Sequence, residues 1–246
     1  MKNLMLLHNR HTPDDSDIWR VAVRRGWATK RTSEPYVRSD MEGYDFIRYY
    51  GNTLHGAMIE PHLPFRFSPI NPKHLANLRG YTKRWIKLVK FSDIIQPIVA
   101  DMFIKPARDK WFEAKVWLKG ETITGAPQAD DLCYVSDIVP FLDEVRCFVL
   151  DGQVQTSSLY RINTVSYQEV DEPEASNFDE RMTDTPICGY ARAIATTTDL
   201  PSGVVMDFGR TSDGQWSLIE FNEAWASGLY FCHPEKCFDV ICASQK

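Results

Sequence analysis

The chain has 246 residues, is 43% hydrophobic and 25% charged, and carries a net charge of −5. That balance describes a globular chain with room for a sizeable core, as one large domain or two small ones, and its acidity argues against a general nucleic-acid binder. No apolar stretch approaches the roughly 20 residues that span a bilayer.

The opening segment has only a four-residue apolar run, too short for a signal peptide, so the cytoplasm is the expected compartment. That run, LMLL at Leu4 to Leu7, reads as a short buried strand. The following PDDSDIWRVAVRRGW has acids at its start, apolar Ile18, Val21, Ala22 and Trp27, and Gly26 after its basic residues. Those are helix start and stop signals in the correct order. YDFIRYYG as a strand and NTLHGAMIE as a short helix repeat the pattern, so a small α/β layer is expected near the N-terminus. PHLPFRFSPINPKH, with four prolines in fourteen residues, reads as a linker or an irregular crossing strand. LANLRGYTKRWIKLVKF reads as a helix, with Lys83, Lys87 and Lys90 forming a solvated basic face, attraction of a phosphate-rich partner being the alternative.

Met102 to Ile104 forms an apolar strand that ends at Lys105-Pro106. After a short polar loop, Lys110 precedes the alternating strand WFEAKVW. Lysines on either side of a tight connection can hold adjacent phosphates as point charges, or can be ordinary surface residues. No Walker sequence is present. Leu132 to Val135 is a further apolar run, followed by Ser136-Asp137. Beyond it, Asp151-Gly152 marks a two-residue hairpin turn, which would place Arg146 opposite Ser157 and Glu144 opposite Leu159, with Arg161 just beyond. Glu144 and Arg146 share a strand face. Two arginines there suit a bidentate phosphate or carboxylate clamp, and an internal Arg–Glu pair is the alternative. The acidic segment from Glu169 to Asp184 reads as a solvated loop, or as a lid favouring a basic substrate.

The segment from Val204 to Trp225, VVMDFGRTSDGQWSLIEFNEAW, looks like a hairpin about Asp213-Gly214. A two-residue turn sets Asp207 directly opposite Glu220, where like charges repel, whereas a longer turn would shift the pairing. Val204, Met206, Phe208, Ile219 and Phe221 make a core face, and Asp207, Glu220 and Asn222 share the other. Magnesium, which takes carboxylate and amide oxygens, would remove the repulsion, and a merely solvated face is the alternative. WASGLY, just beyond, lines an acceptor pocket or packs as core. CHPEKCFDVIC crowds three cysteines with His233 but fits no zinc spacing, so free, buried thiols are expected.

Through FIKPARDKWFEA, YVSDIVPFLDEVRCFVLDGQV, SLYR and GVVMDFGRTSDGQWSLIEFNEAWASGLY, in that order, the chain resembles the ATP-grasp superfamily from about Met102 to Tyr230. More narrowly it resembles the clade named for two conserved arginines and a lysine. The resemblance implies an α+β fold in which two α+β subdomains with antiparallel sheets, about residues 71–133 and 134–246, enclose a nucleotide. A small N-terminal α/β domain over residues 1–70 precedes them. It implies that Lys105 and Lys110 contact the ATP phosphates, and that Tyr134, Val135, Ser136 and Asp137 meet the adenine edge. Asp137 stands where a glutamate is commoner. Glu144 and Arg146 match the acid-x-Arg pair, and Arg161 the second arginine, near the phosphate or the acyl substrate. Asp207, Glu220 and Asn222 match the magnesium ligands. The implied activity is ATP- and magnesium-dependent ligation of a carboxylate to an amine through an acyl phosphate, releasing ADP and phosphate. An amino acid, peptide or protein is the implied substrate. The alternatives are a phosphotransferase using the same site and a nucleotide-binding protein without turnover.

Overall fold

The structure, a computed structural model, describes residues 1–34, 38–108, 110–166, 182 and 185–246. Apart from Met182, the acidic segment lies outside the described residues.

A parallel three-stranded sheet is built from β1 (Asn3–His8), β2 (Ala28–Thr32) and β3 (Phe46–Tyr50), in the order β2-β1-β3. The central strand buries Leu4, Met5, Leu6 and Leu7 completely, which is why an unbroken apolar run marks it. Helix α1 (Pro13–Arg24) begins with a capping box between Thr12 and Asp15 and buries Ile18, Val21 and Ala22. β2, ATKRT, carries no apolar alternation and is an addition to the units anticipated from sequence. After a short α2 (Arg38–Met41) and β3, Asn52 caps α3 (Thr53–Ile59).

The Pro-rich stretch crosses the molecule irregularly, and Phe67 forms an isolated bridge with Gln245. The Gln245 side chain also accepts from the Tyr49 N–H at 2.8 Å and donates to the Tyr49 carbonyl at 2.9 Å. It therefore imitates a strand residue along the free edge of β3.

The helix expected across residues 75–91 is instead three elements: α4 (Lys73–Asn77), α5 (Arg79–Thr82) and the strand β4 (Ile86–Lys90). Lys83 takes a left-handed conformation, with φ +51°, and ends the helical part. Ile86 is buried and Lys87 exposed on β4, so two of the three lysines that suggested helical spacing, Lys87 and Lys90, sit along a strand. β4 joins β5 (Met102–Pro106), β6 (Lys115–Trp117) and β7 (Leu132–Ser136) in an antiparallel sheet ordered β4-β7-β5-β6. Ile98, Ile104, Phe112, Trp117, Cys133 and Val135 form its core.

The third sheet, ordered β10-β9-β8-β11-β12, comprises β8 (Asp143–Leu150), β9 (Gln153–Ile162), β10 (Val165–Ser166), β11 (Gly203–Arg210) and β12 (Trp216–Asn222). Helix α6 (Ile187–Thr197) shares one core with Val149, Val204, Met206 and Phe208. Helix α7 (Pro234–Ala243) shares the other with Phe148, Val205 and the N-terminal parallel sheet. Gly203 permits the close approach of α7, because a Cβ there would lie 2.0 Å from the Val240 carbonyl oxygen. All six cysteines are free thiols, and no described helix is long and apolar enough to cross a membrane.

Asp151 and Gly152, with φ of +47° and +77°, form the anticipated two-residue turn. Two register shifts then displace the ladder, so Arg146 pairs with Ser158 rather than Ser157, and Glu144 with Arg161 rather than Leu159. The second hairpin closes differently from expectation. Gly214 donates to the Thr211 carbonyl at 2.9 Å, Thr211 donates to the Gln215 carbonyl at 2.9 Å, and Gly214 has φ +82°. That is a three-residue loop ending in a left-handed glycine. A shift between Asp207 and Phe208 then leaves Ile219 unpaired and brings Asp207 opposite Glu220 after all.

Candidate active site

Three neighbouring strands supply the polar centre. β8 contributes Arg146, β11 Asp207, and β12 Glu220 and Asn222. Arg146 and Asp207 are ladder partners, and the guanidinium forks onto the carboxylate, Nε to Oδ1 at 2.9 Å and Nη2 to Oδ2 at 2.7 Å. The third nitrogen, Nη1, donates to the Gly228 carbonyl at 3.0 Å. The two side chains are only 7% and 1% exposed, so the pair stands out of water.

Asn222 joins the two acids. Its Nδ2 donates to Asp207 Oδ2 at 3.1 Å and to Glu220 Oε1 at 3.0 Å. The other Glu220 oxygen accepts from Lys105, which reaches across from β5 in the four-stranded sheet. A lysine of one sheet and the acids of another thus meet at one point.

Burial pushes the Asp207 carboxyl up to about 6, against the pull of Arg146, with the charges of Glu220 and Glu144 adding to the rise. Burial also acts upward on Glu220, but Lys105, the Asn222 hydrogen bond and Arg146 outweigh it and hold that carboxyl at about 2. Two acids on one face therefore differ in proton affinity, because one is desolvated more completely than it is paired.

Aromatic rings frame the arginine. Its Cζ lies 4.0 Å from the Tyr230 ring centroid and 5.8 Å from that of Tyr160. The Tyr160 hydroxyl donates to Glu144 Oε2 at 2.7 Å, and Arg161 Nη1 donates to Glu144 Oε1 at 2.7 Å. The chain of contacts thus runs from Lys105 through Glu220, Asn222, Asp207 and Arg146 to Tyr160, Glu144 and Arg161.

The remaining sequence-predicted residues lie differently. Lys110 is exposed on the β5–β6 connection, and no described hydrogen bond or ion pair joins it to this network. Tyr134 and Val135 pair with both β4 and β5, and the Tyr134 hydroxyl donates to the Pro72 carbonyl at 2.7 Å. The Tyr134 ring centroid is 5.7 Å from Lys105 Nζ. Ser136 Oγ donates to the Asp137 carbonyl at 3.0 Å. Asp137 donates its N–H to the Trp85 carbonyl at 3.1 Å and accepts from the Trp85 N–H at 2.9 Å. Trp225 packs as core, stacked on Phe67 with centroids 3.9 Å apart. Sequence reasoning passed over Tyr160, although it stands inside a quoted motif, while Tyr230, read as lining an acceptor pocket or packing as core, lies over Arg146. That reasoning also passed over Arg84, which was submerged in a stretch that read as a basic helix.

Two carboxylates and an amide on one face form a hard-oxygen donor set of the kind magnesium takes. Asn222 already touches both acids, and turning its amide over presents oxygen in place of nitrogen. Among the described residues no group of three or more His, Cys, Asp or Glu could hold a metal, so this set needs the amide as its third member. Two grooves, of about 480 and 710 Å³, lie on other parts of the surface and are not lined by Asp207, Glu220 or Arg146.

A family model described as ATP-grasp domain, R2K clade family 2, matches residues 81–240. Among solved structures, the chain is similar to D-cycloserine synthetase DcsG, with 12% identity, 98% of each chain covered and a TM-score of 0.63. It is also similar to the D-alanine–D-alanine ligase of Bacillus anthracis complexed with ATP, at 11% identity over 99% of this chain and 97% of that one, with a TM-score of 0.53. A third similar structure is macrocyclase MdnC from Microcystis aeruginosa bound with precursor peptide MdnA, at 10% identity over 98% of each chain, with a TM-score of 0.53. At these identities the likenesses establish a shared fold. No curated protein matches the chain.

Proposed function

The chain belongs to the R2K clade of the ATP-grasp superfamily; from that premise we propose that it is a ligase, which joins a carboxylate to an amine with ATP and magnesium. The reaction in this reading passes through an acyl phosphate and releases ADP and phosphate. One observation carries it. Lys105 of the four-stranded sheet converges with Asp207, Glu220 and Asn222 of the five-stranded sheet, so a cation and a hard-oxygen donor set face each other between two layers.

Asp207, Glu220 and Asn222 would hold magnesium, which when bound supplies positive charge to the triphosphate. Lys105 and Lys110 are the phosphate-binding lysines of this reading, and Tyr134, Val135, Ser136 and Asp137 border the adenine. Arg146 has all three nitrogens engaged by Asp207 and Gly228, so it keeps Asp207 ionised and aimed. Arg161, whose side chain is 40% exposed, is the arginine with room to meet acyl-phosphate oxygens, and Glu144 orients it. No covalent protein nucleophile enters the scheme. In this reading residues 1–70 are the preceding domain and about 71–133 and 134–246 the two subdomains, with the whole of β7 completing the sheet of the smaller one. The amino-acid and peptide chemistry named for two of the similar structures supports an amino acid, peptide or protein as substrate.

Incubation with magnesium, ATP and pooled amino acids or peptides, followed by mass spectrometry, tests the proposal. ADP together with a condensed product supports it. A phosphorylated product without condensation overturns it in favour of a phosphotransferase. Thermal stabilisation by magnesium-ATP without any ADP overturns it in favour of a binding protein.

A further inference from the structure

β12 is an edge strand, so part of its backbone has no ladder partner. Close to the turn, Gly209 pairs with Ser217 and Phe208 with Leu218. The next pair is Asp207 with Glu220, and Ile219 is the extra residue of a bulge. Had the first register run on, Ile219 would lie opposite Asp207, and Glu220 opposite Met206 on the core face. The bulge is therefore what turns Glu220 and Asn222 toward Asp207.

Arg84, between α5 and β4, grips that bulge from outside the sheet. Its Nη1 donates to the Leu218 carbonyl at 2.8 Å and its Nη2 to the Ile219 carbonyl at 2.9 Å. One guanidinium thus takes the two successive carbonyls that bracket the irregularity. Ser217 Oγ donates to the Thr82 carbonyl and ties the same stretch of β12 to α5. Burial brings the Arg84 pKa down to about 10, which leaves it charged at neutral pH. Room for the bulge comes from Gly209, where a Cβ would lie 2.4 Å from the Phe141 ring and 3.0 Å from Ile219 Cδ1. Phe141 in turn lies under Arg84, with 5.7 Å from Cζ to the ring centroid.

We propose that Arg84 is a positioning residue, which pins the Ile219 bulge and thereby sets Glu220 and Asn222 against Asp207. The inference rests on the reading of those three side chains as a metal site. It means that a residue leading into the four-stranded sheet fixes the ligand geometry of the five-stranded one.

Four full-length variants test it: Arg84→Met, Arg84→Lys, deletion of Ile219, and the deletion combined with Arg84→Met. The deletion removes the extra residue, so the ladder runs from Phe208–Leu218 straight to Asp207–Glu220 with no bulge to hold. Manganese(II) alone is the probe, followed by its electron paramagnetic resonance signal, beside amide exchange and cross-strand NMR contacts. Arg84→Met is expected to weaken manganese binding by about tenfold or more and to speed exchange at Ile219 to Asn222, with β8 unchanged. Arg84→Lys, a point donor, recovers little. In the deletion background, Arg84→Met leaves manganese binding nearly unchanged. Wild-type exchange and manganese affinity in Arg84→Met overturn the proposal. So does a loss of affinity on Arg84→Met that persists in the deletion background, the comparison that decides should the single variant fail to fold. If the wild-type protein takes up no manganese, the metal reading fails, and the Asp207–Glu220 contacts and the exchange rates decide on Arg84.

Discussion

Lys105 on β5 and Glu220 on β12 form an ion pair between two separate sheets, with side-chain exposures of 16% and 29%. It ties the layers together at the point where both of its members are assigned to nucleotide and metal.

Replacing that lysine should show how strongly it acts. In Lys105→Met, burial acts on Glu220 without its nearest opposing charge, so its titration should move upward from about 2, with the Asn222 hydrogen bond and Arg146 still opposing the rise. The sign for folding follows. A depressed carboxyl stabilises the fold above its ordinary pKa, and that contribution is lost as pH falls through about 2. Carboxyl-detected NMR titration checks the shift, and a Glu220 that still titrates near 2 in the variant would refute the assignment.

Metal binding should depend on pH through Asp207, whose carboxyl titrates at about 6. A protonated carboxyl does not hold a hard cation, so magnesium affinity should fall by up to about tenfold per pH unit below that value. Without metal the linkage has the opposite sense. A raised carboxyl favours the fold at low pH, and the benefit is lost as pH rises from 3.8 through about 6. Calorimetric titration with magnesium between pH 5 and pH 8 measures the first effect, and a flat affinity would contradict it.

Glu220→Gln should abolish turnover and leave the fold in place, because a neutral amide keeps the shape but not the charge. Wild-type activity in that variant would remove Glu220 from the metal site. Asp207→Ala is a different experiment, since it strands the buried Arg146 guanidinium. Its cost to stability should be about 3–5 kcal/mol, read by urea unfolding.

Gly203→Ala should destabilise the protein by about 1–3 kcal/mol, since its Cβ would meet the Val240 carbonyl and push α7 from β11. Thermal unfolding measures this. An unchanged midpoint would mean that the helix shifts freely.

Local chemistry made much of this molecule legible. The apolar run of β1, the acids and glycine around α1, and Asp151-Gly152 each produced the element that their chemistry implies. The family resemblance likewise pointed to the fold that the family model and the solved structures establish. Long-range registers were less readable. Bulges have no composition of their own, so Arg146 and Glu144 met partners other than the expected ones. Asp207 and Glu220 do face each other, but the two-residue turn that suggested it is absent: a longer loop and a bulge compensate. β4 is hard to read because Lys83, Lys87 and Lys90 fall at helical spacing, although only Lys87 and Lys90 lie on the strand and the left-handed Lys83 ends the helical part before it. Arg84 was hidden by that same pattern, since its partners are main-chain carbonyls more than 130 residues away, as both bonds show.

Gln245 completes the edge of β3 by bonding both main-chain groups of Tyr49. The order of synthesis gives that contact a temporal side. Tyr49 emerges 196 residues ahead of Gln245, so that edge of β3 stays unfinished until the ribosome has delivered its partner, and the sheet is sealed well after its strands are made.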